Sequence, residues 1–251
     1  MKKQLVIALT AIMVFSFAAA AYAEEPAPEE NAGAQVMTYE EYAAAEIDDE
    51  VTVAVYVQAT QSWWEETISV YAADEDGAYF IYSMECSEED AEKLVPGTKI
   101  IVNGYKSEWS GEVEIVDATF TFADADTDTY IAEPEDVTAL LGKDELEDHM
   151  NSLVSFEGLT VEASADADGK EAAFLYNWDG SGSQENNDDL YFNASIGGQT
   201  YTFTVESYLC DNTTDVYKTV EGLSVGDVID MTGFLYWYNG PNPHIISVTV
   251  K

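Results

Sequence analysis

The side chains most able to do chemistry in this 251-residue chain are its flat rings: 5 Trp, 16 Tyr and 10 Phe. Such rings stack on sugar faces and on nucleobases, and a single base stack contributes ~1–3 kcal/mol. The tryptophans are grouped. Trp63 and Trp64 are adjacent, Trp109 stands in "EWSGE", Trp178 in "YNWDGSG" and Trp237 in "LYWYNG". The last three stretches are rich in the Gly, Asn, Asp and Ser of tight turns, so their rings are expected at loop tips.

Other constellations point to less. "DADTDTYIAEPE", residues 124–135, places acids at positions 1, 3, 5 and 12 of a calcium-loop template. Thr129 stands where that template needs Gly, Pro134 interrupts its end, and a strand precedes it, so a solvated acidic linker is expected instead. "DADG", residues 166–169, reads as a turn. Cys86 and Cys210 read as small buried core residues, with a single disulfide as the alternative in an oxidising compartment. His149, beside Asp148 and four residues after Glu145, reads as a surface helix residue. His244, following Pro243, reads as a strand-edge residue. There is no G-x-S-x-G, H-E-x-x-H, phosphate-binding loop or dinucleotide fingerprint. Among 49 acids, close carboxylate pairs arise by chance and identify nothing. The expectation is a non-catalytic protein with no cofactor and no specific metal.

The first residues address the compartment. Lys2 and Lys3, an apolar run, and Ala21-Tyr22-Ala23 have the form of a secretory signal peptide over residues 1–23, with an uncleaved anchor as the alternative. Cleavage would leave seven lysines, no arginine and all 49 acids, a formal charge of −42. A secreted, extracytoplasmic protein with no membrane insertion after cleavage is expected. So negative a body repels polyanions, and it lacks the cations that replace counterions on phosphates, so nucleic acid is expected to be an unlikely partner.

The elements that position the rings can be read from periodicity. Residues 24–37 are a Pro-, Glu- and Ala-rich tether. Thr38 and Glu41 form a capping box for a short helix. Val51, Val53, Val55 and Val57 alternate with polar residues as a strand. "TISVYAA" and "AYFIYSM" follow as strands, then a short helix capped by Ser87, then "TKIIVNGYK" and "EVEIVDATFTF". The second half repeats this order of three strands, a helix and two strands. Placing Gly97 on Gly226 also places Gly104 on Gly233, Trp109 on Tyr238 and Gly111 on Gly240. A repeat of about 125 residues is too long for a solenoid and reads as a duplicated domain.

Five strands with a helix between the third and fourth resemble the OB-fold, a small Greek-key barrel. The chain is similar to exported bacterial proteins built of tandem OB-like domains, many without assigned function. The resemblance implies an all-β protein of two five-stranded barrels: domain 1 over residues 38–122, an acidic linker at 123–142 and domain 2 over residues 143–251. It also implies a binding face across strands two and three, walled by the one–two and four–five loops. That face would hold Trp63, Trp64, Tyr71, Tyr82 and Trp109 in the first repeat. In the second it would hold Trp178, Tyr191, Trp237, Tyr238 and Asn239. An extracellular glycan or peptide is the expected ligand. The alternatives are a single-stranded nucleic-acid binder, and a structural envelope protein whose aromatics plug the barrels or join domain to domain.

Overall fold

The computed structural model describes residues 35–124 and 128–251. The expected signal peptide at 1–23, the tether up to residue 34 and part of the calcium-loop template lie outside the described residues.

Thr38 caps α1 (Tyr39–Ala44) with both halves of the capping box: its Oγ1 accepts from Glu41 N at 3.2 Å, and its N–H donates to Glu41 Oε2 at 2.9 Å. The strands β1 (Glu50–Thr60), β2 (Thr67–Ala73) and β3 (Ala78–Glu85) follow, then α2 (Glu88–Ala91), β4 (Lys99–Trp109) and β5 (Glu112–Phe122). They close a barrel in the order β1-β2-β3-β5-β4, with β3 and β5 parallel. The alternating valines of β1 all face the core, where Val51, Val53, Val55 and Val57 are buried against Ile81, Ile100 and Val102.

The second half builds the same closed order. Its strands are β6 (Leu153–Glu162), β7 (Leu190–Ile196), β8 (Gln199–Val205), β9 (Val228–Phe234) and β10 (His244–Val250), with α3 (Asp215–Glu221) between β8 and β9. β6 pairs with β7 and β9, β7 with β8, β8 with β10 in parallel, and β10 with β9, which completes the ring. The chain is therefore all-β with two closed five-stranded OB-like barrels and a few short helices. A core around Phe156, Phe192 and Phe203 fills the second barrel.

Paired glycines mark equivalent structural demands. Gly104 and Gly233 each lie at an irregularity in the register of strand four against strand five. A side chain at Gly233 would collide with the His244 carbonyl oxygen, and one at Gly104 would meet Ile115 and the Val116 carbonyl. Only glycine lets these hairpins cross their barrels so closely.

One local reading changes. Val137 and Leu141 pack into the second core, so residues 137–141 belong to the second barrel rather than to a solvated linker. Ahead of them, Tyr130 packs on Tyr56 with ring centroids 5.8 Å apart, and Ala132 N donates to Gln58 Oε1 at 2.8 Å, which straps this segment to the first barrel. His244, expected at a strand edge, is the first residue of β10 and is buried there. The cysteines are unbonded, Cys86 in the first core and Cys210 in the second. Among the described residues, no helix is long and apolar enough to cross a membrane.

Candidate functional site

The two strand two–three faces, equivalent by topology, have different fates. In the first barrel the face is covered by the second. Tyr71 on β2 and Phe80 on β3 point outward from their own core and meet the root of the β9–β10 hairpin. The Tyr71 ring stacks on Phe234 at 4.3 Å with 9° between planes, and its hydroxyl lies 2.9 Å from His244 Nδ1. Phe80 meets Tyr236 edge-on at 5.4 Å, and Tyr236 stacks on His244 at 4.5 Å. Tyr71, Phe80 and Phe234 form a small core of their own between the barrels. An aromatic side chain buries 150–250 Å² at roughly 25 cal/mol per Å², so rings this close gain more from each other than from solvent.

Polar contacts lock the same seam. Glu112 Oε2 accepts from Trp237 N at 2.7 Å, Glu206 Oε2 accepts from Gln61 Nε2 at 3.1 Å, and the Tyr208 carbonyl accepts from Ser62 N at 2.6 Å. Asn151 Nδ2 donates to the Val113 carbonyl at 3.0 Å. Glu112 is 0% exposed, and burial pushes its carboxyl up to about 8 despite the Trp237 N–H. Burial likewise raises Glu114 and Glu206 to about 7, and it depresses His244 to about 3.

In the second barrel the face is open. Tyr191 on β7 and Thr202 on β8 form the floor of a groove of about 690 Å³, walled by Trp178 on one side and by Tyr236, Tyr238 and Pro241 on the other. None of its lining residues is charged. Trp178 is 75% exposed. It sits in a turn held by Asn177, at φ +59°, whose N–H donates to the Asp189 carbonyl at 2.8 Å. Gly182 closes this loop where a side chain would strike Asn177 and Asp188. The opposite wall is braced by the first barrel: Asn239 N donates to the Ser110 carbonyl at 2.7 Å, and the Trp109 ring lies 5.2 Å from Tyr238. The two duplicated hairpin tips thus meet each other.

Of the expected site residues, the structure brings Trp178, Tyr191 and Tyr238 together, with Trp109 beside them. Trp237 is half-buried against Gly111, and Asn239 serves the tip through its backbone. Tyr71 does not face a free surface, because the second barrel covers it. Trp63 is half-buried on the first core, where its indole N–H donates to the Cys86 carbonyl at 2.8 Å. Trp64 and Tyr82 stay exposed, in a separate depression. The five residues expected to share a first-barrel site therefore do not form one. Tyr236, Phe234 and Tyr208 were not among the expected residues. The strand β2, "TISVYAA", is buried on both faces from Ile68 to Ala73, yet Thr67, Ser69 and Tyr71 make its outward face polar in type, so its sequence did not mark the seam.

No family model matches the chain, and no curated protein matches it. Solved structures with similar folds include a murine DNA-binding protein bound with double-stranded DNA, at 10% identity and a TM-score of 0.38, covering 79% of this chain and 97% of that one. The p204 HINb domain is similar at 11% identity and a TM-score of 0.38, covering 82% of this chain and 100% of that one. A deletion mutant of the single-stranded DNA-binding protein from Thermus aquaticus is similar at 10% identity and a TM-score of 0.24, covering 80% and 93%. At this level of similarity the likeness is one of fold, and what these proteins bind is said of them alone. The expectations of a glycan or peptide partner and of nucleic acid excluded on charge are not carried forward. The physical reason lies in the geometry. The first-barrel aromatic surface is not assembled, and net charge sums over the whole molecule while the open groove itself carries no charge.

Proposed function

We propose that the chain is an exported, non-catalytic OB-type binding protein that holds single-stranded nucleic acid by its bases in the groove of the second barrel. The observation that carries the reading is the uncharged aromatic groove between Trp178, Tyr191, Tyr236 and Tyr238, on the face and between the loops that OB barrels use for oligomeric ligands. The first barrel is the platform: its own face is occupied, and it braces the tip that carries Tyr238. Support for export is the form of residues 1–23.

The charge sets the terms of binding. With a formal charge of −40 and no arginine, the protein has few cations with which to release counterions from phosphates. The bases must face the rings and the phosphates must face solvent. Added salt then screens repulsion instead of competing for cations, so affinity rises with ionic strength, opposite to the usual slope. Tryptophan quenching and anisotropy with oligothymidine test this. Trp178→Ala and Tyr238→Ala each weaken binding by ~1–3 kcal/mol, about five-fold to over a hundred-fold. Absence of binding at both low and high salt, or equal binding by both variants and the parent, refutes the reading.

A further inference from the structure

A second ring-lined depression crosses the seam. It is walled by Trp64 from the β1–β2 loop, Tyr82 from β3 and Tyr208 from the second barrel, with a volume of about 380 Å³. Trp64 is 67% exposed and Tyr208 63%. Neither acid nor base lines it; the hydroxyls of Ser62, Thr67 and Ser83 offer donors and acceptors to a base edge. Its floor is rigid, because Ser62 donates to the Tyr208 carbonyl through both its N–H, at 2.6 Å, and its Oγ, at 3.1 Å.

This depression and the groove of the second barrel are separate, with no lining residue in common, and the ring of Phe80, buried in the seam, lies between their walls. The Tyr82 ring lies 6.4 Å from Phe80, and Phe80 lies 5.4 Å from Tyr236, which forms the wall of that groove. Two ring-to-ring contacts through the buried seam therefore join a wall of one site to a wall of the other. We propose that the Trp64–Tyr82–Tyr208 depression is a second subsite for the same strand, so that one single-stranded nucleic acid lies across both barrels with bases stacked at each end. The inference rests on the reading of the first groove. It adds a binding role for the first barrel, through its β1–β2 loop and the uncovered end of β3 at Tyr82.

Strand length separates the two ideas. Oligothymidines of about 4 and about 12 nucleotides, within the ~4–16 that an OB barrel covers, are compared by anisotropy at one fixed salt concentration. The longer strand is expected to bind about ten-fold more tightly, the worth of one added base stack. The double variant Trp64→Ala, Tyr208→Ala should abolish that gain and leave the short strand's affinity unchanged, which also shows that the variant is folded. Equal affinities for the two lengths, or a gain that survives the double variant, overturn the second subsite and leave the first groove standing. Failure of both lengths to bind the parent protein overturns the first groove and the second subsite together.

Discussion

Glu112 shows what one residue can set. Its carboxylate is sealed between the barrels, accepting from Trp237 N through Oε2, while Oε1 and Asn151 Oδ1 are buried without partners. A proton on Glu112 removes the cost of a buried charge, and burial pushes its carboxyl up to about 8. Glu114 and Glu206, raised to about 7, act in the same sense. In each case the folded state keeps a proton that the unfolded state loses near the ordinary glutamate value of ~4.3. Their stabilisation is present in full below that value and is lost as pH rises through 7 and 8. His244 works from the other side: depressed to about 3, it stabilises above its unfolded value of ~6.5 and loses that contribution as pH falls. Stability should therefore peak on the acid side, near pH ~5, and decline toward pH 8. Glu112→Gln should flatten the decline and raise stability at pH 8 by ~1–3 kcal/mol, the usual cost of an unsatisfied buried polar group. Thermal melts across pH decide this; a melting temperature that climbs steadily to pH 8 in the parent rules it out.

At the scale of elements, the strand four–five hairpin is the recurring device. Its glycine allows the close crossing and its tip carries the ring. In the first barrel the tip delivers Trp109 to the edge of the groove, and in the second it supplies Tyr238 and the seam residues at its root. Gly233→Ala forces a methyl group into the His244 carbonyl and the Ile245 Cα. Such overpacking costs ~1–3 kcal/mol, read as a lower denaturant midpoint with an unchanged slope. Gly158→Ala is the control: its φ of +70° strains an added side chain but nothing lies within reach of it, so its cost should be nearer ~1 kcal/mol. A Gly233→Ala midpoint no lower than that of Gly158→Ala would show that the crossing is not tight.

For the whole molecule, the aromatic seam joins two barrels that each close on themselves. The stack of Tyr71 on Phe234, with the His244 and Glu112 bridges, couples them, so the parent should melt in one transition. Phe234→Ala removes the central ring, at a cost of ~3–5 kcal/mol for a buried aromatic, and should split the transition in two by calorimetry. A single transition in that variant would place the coupling elsewhere. The seam also explains why only one of two equivalent faces is free. One was consumed in joining the halves, and the other kept its groove.

Much of this architecture was legible before folding. Alternation in β1, the capping box at Thr38 and the paired glycines at 104 and 233 depend on local sterics and on the period of a strand, which short windows of sequence contain. Those signals carried the two barrels, their duplicated order and the loops that bear tryptophan. They could not say which rings would meet solvent. Tyr71 and Tyr191 both stand in second strands, yet one is sealed in the seam and the other floors the open groove. That difference follows from how one barrel docks on the other, through contacts between residues more than 150 positions apart, such as Tyr71 and His244. The burial of an outward-facing side chain is a property of its distant neighbours, and only the tertiary structure supplies them.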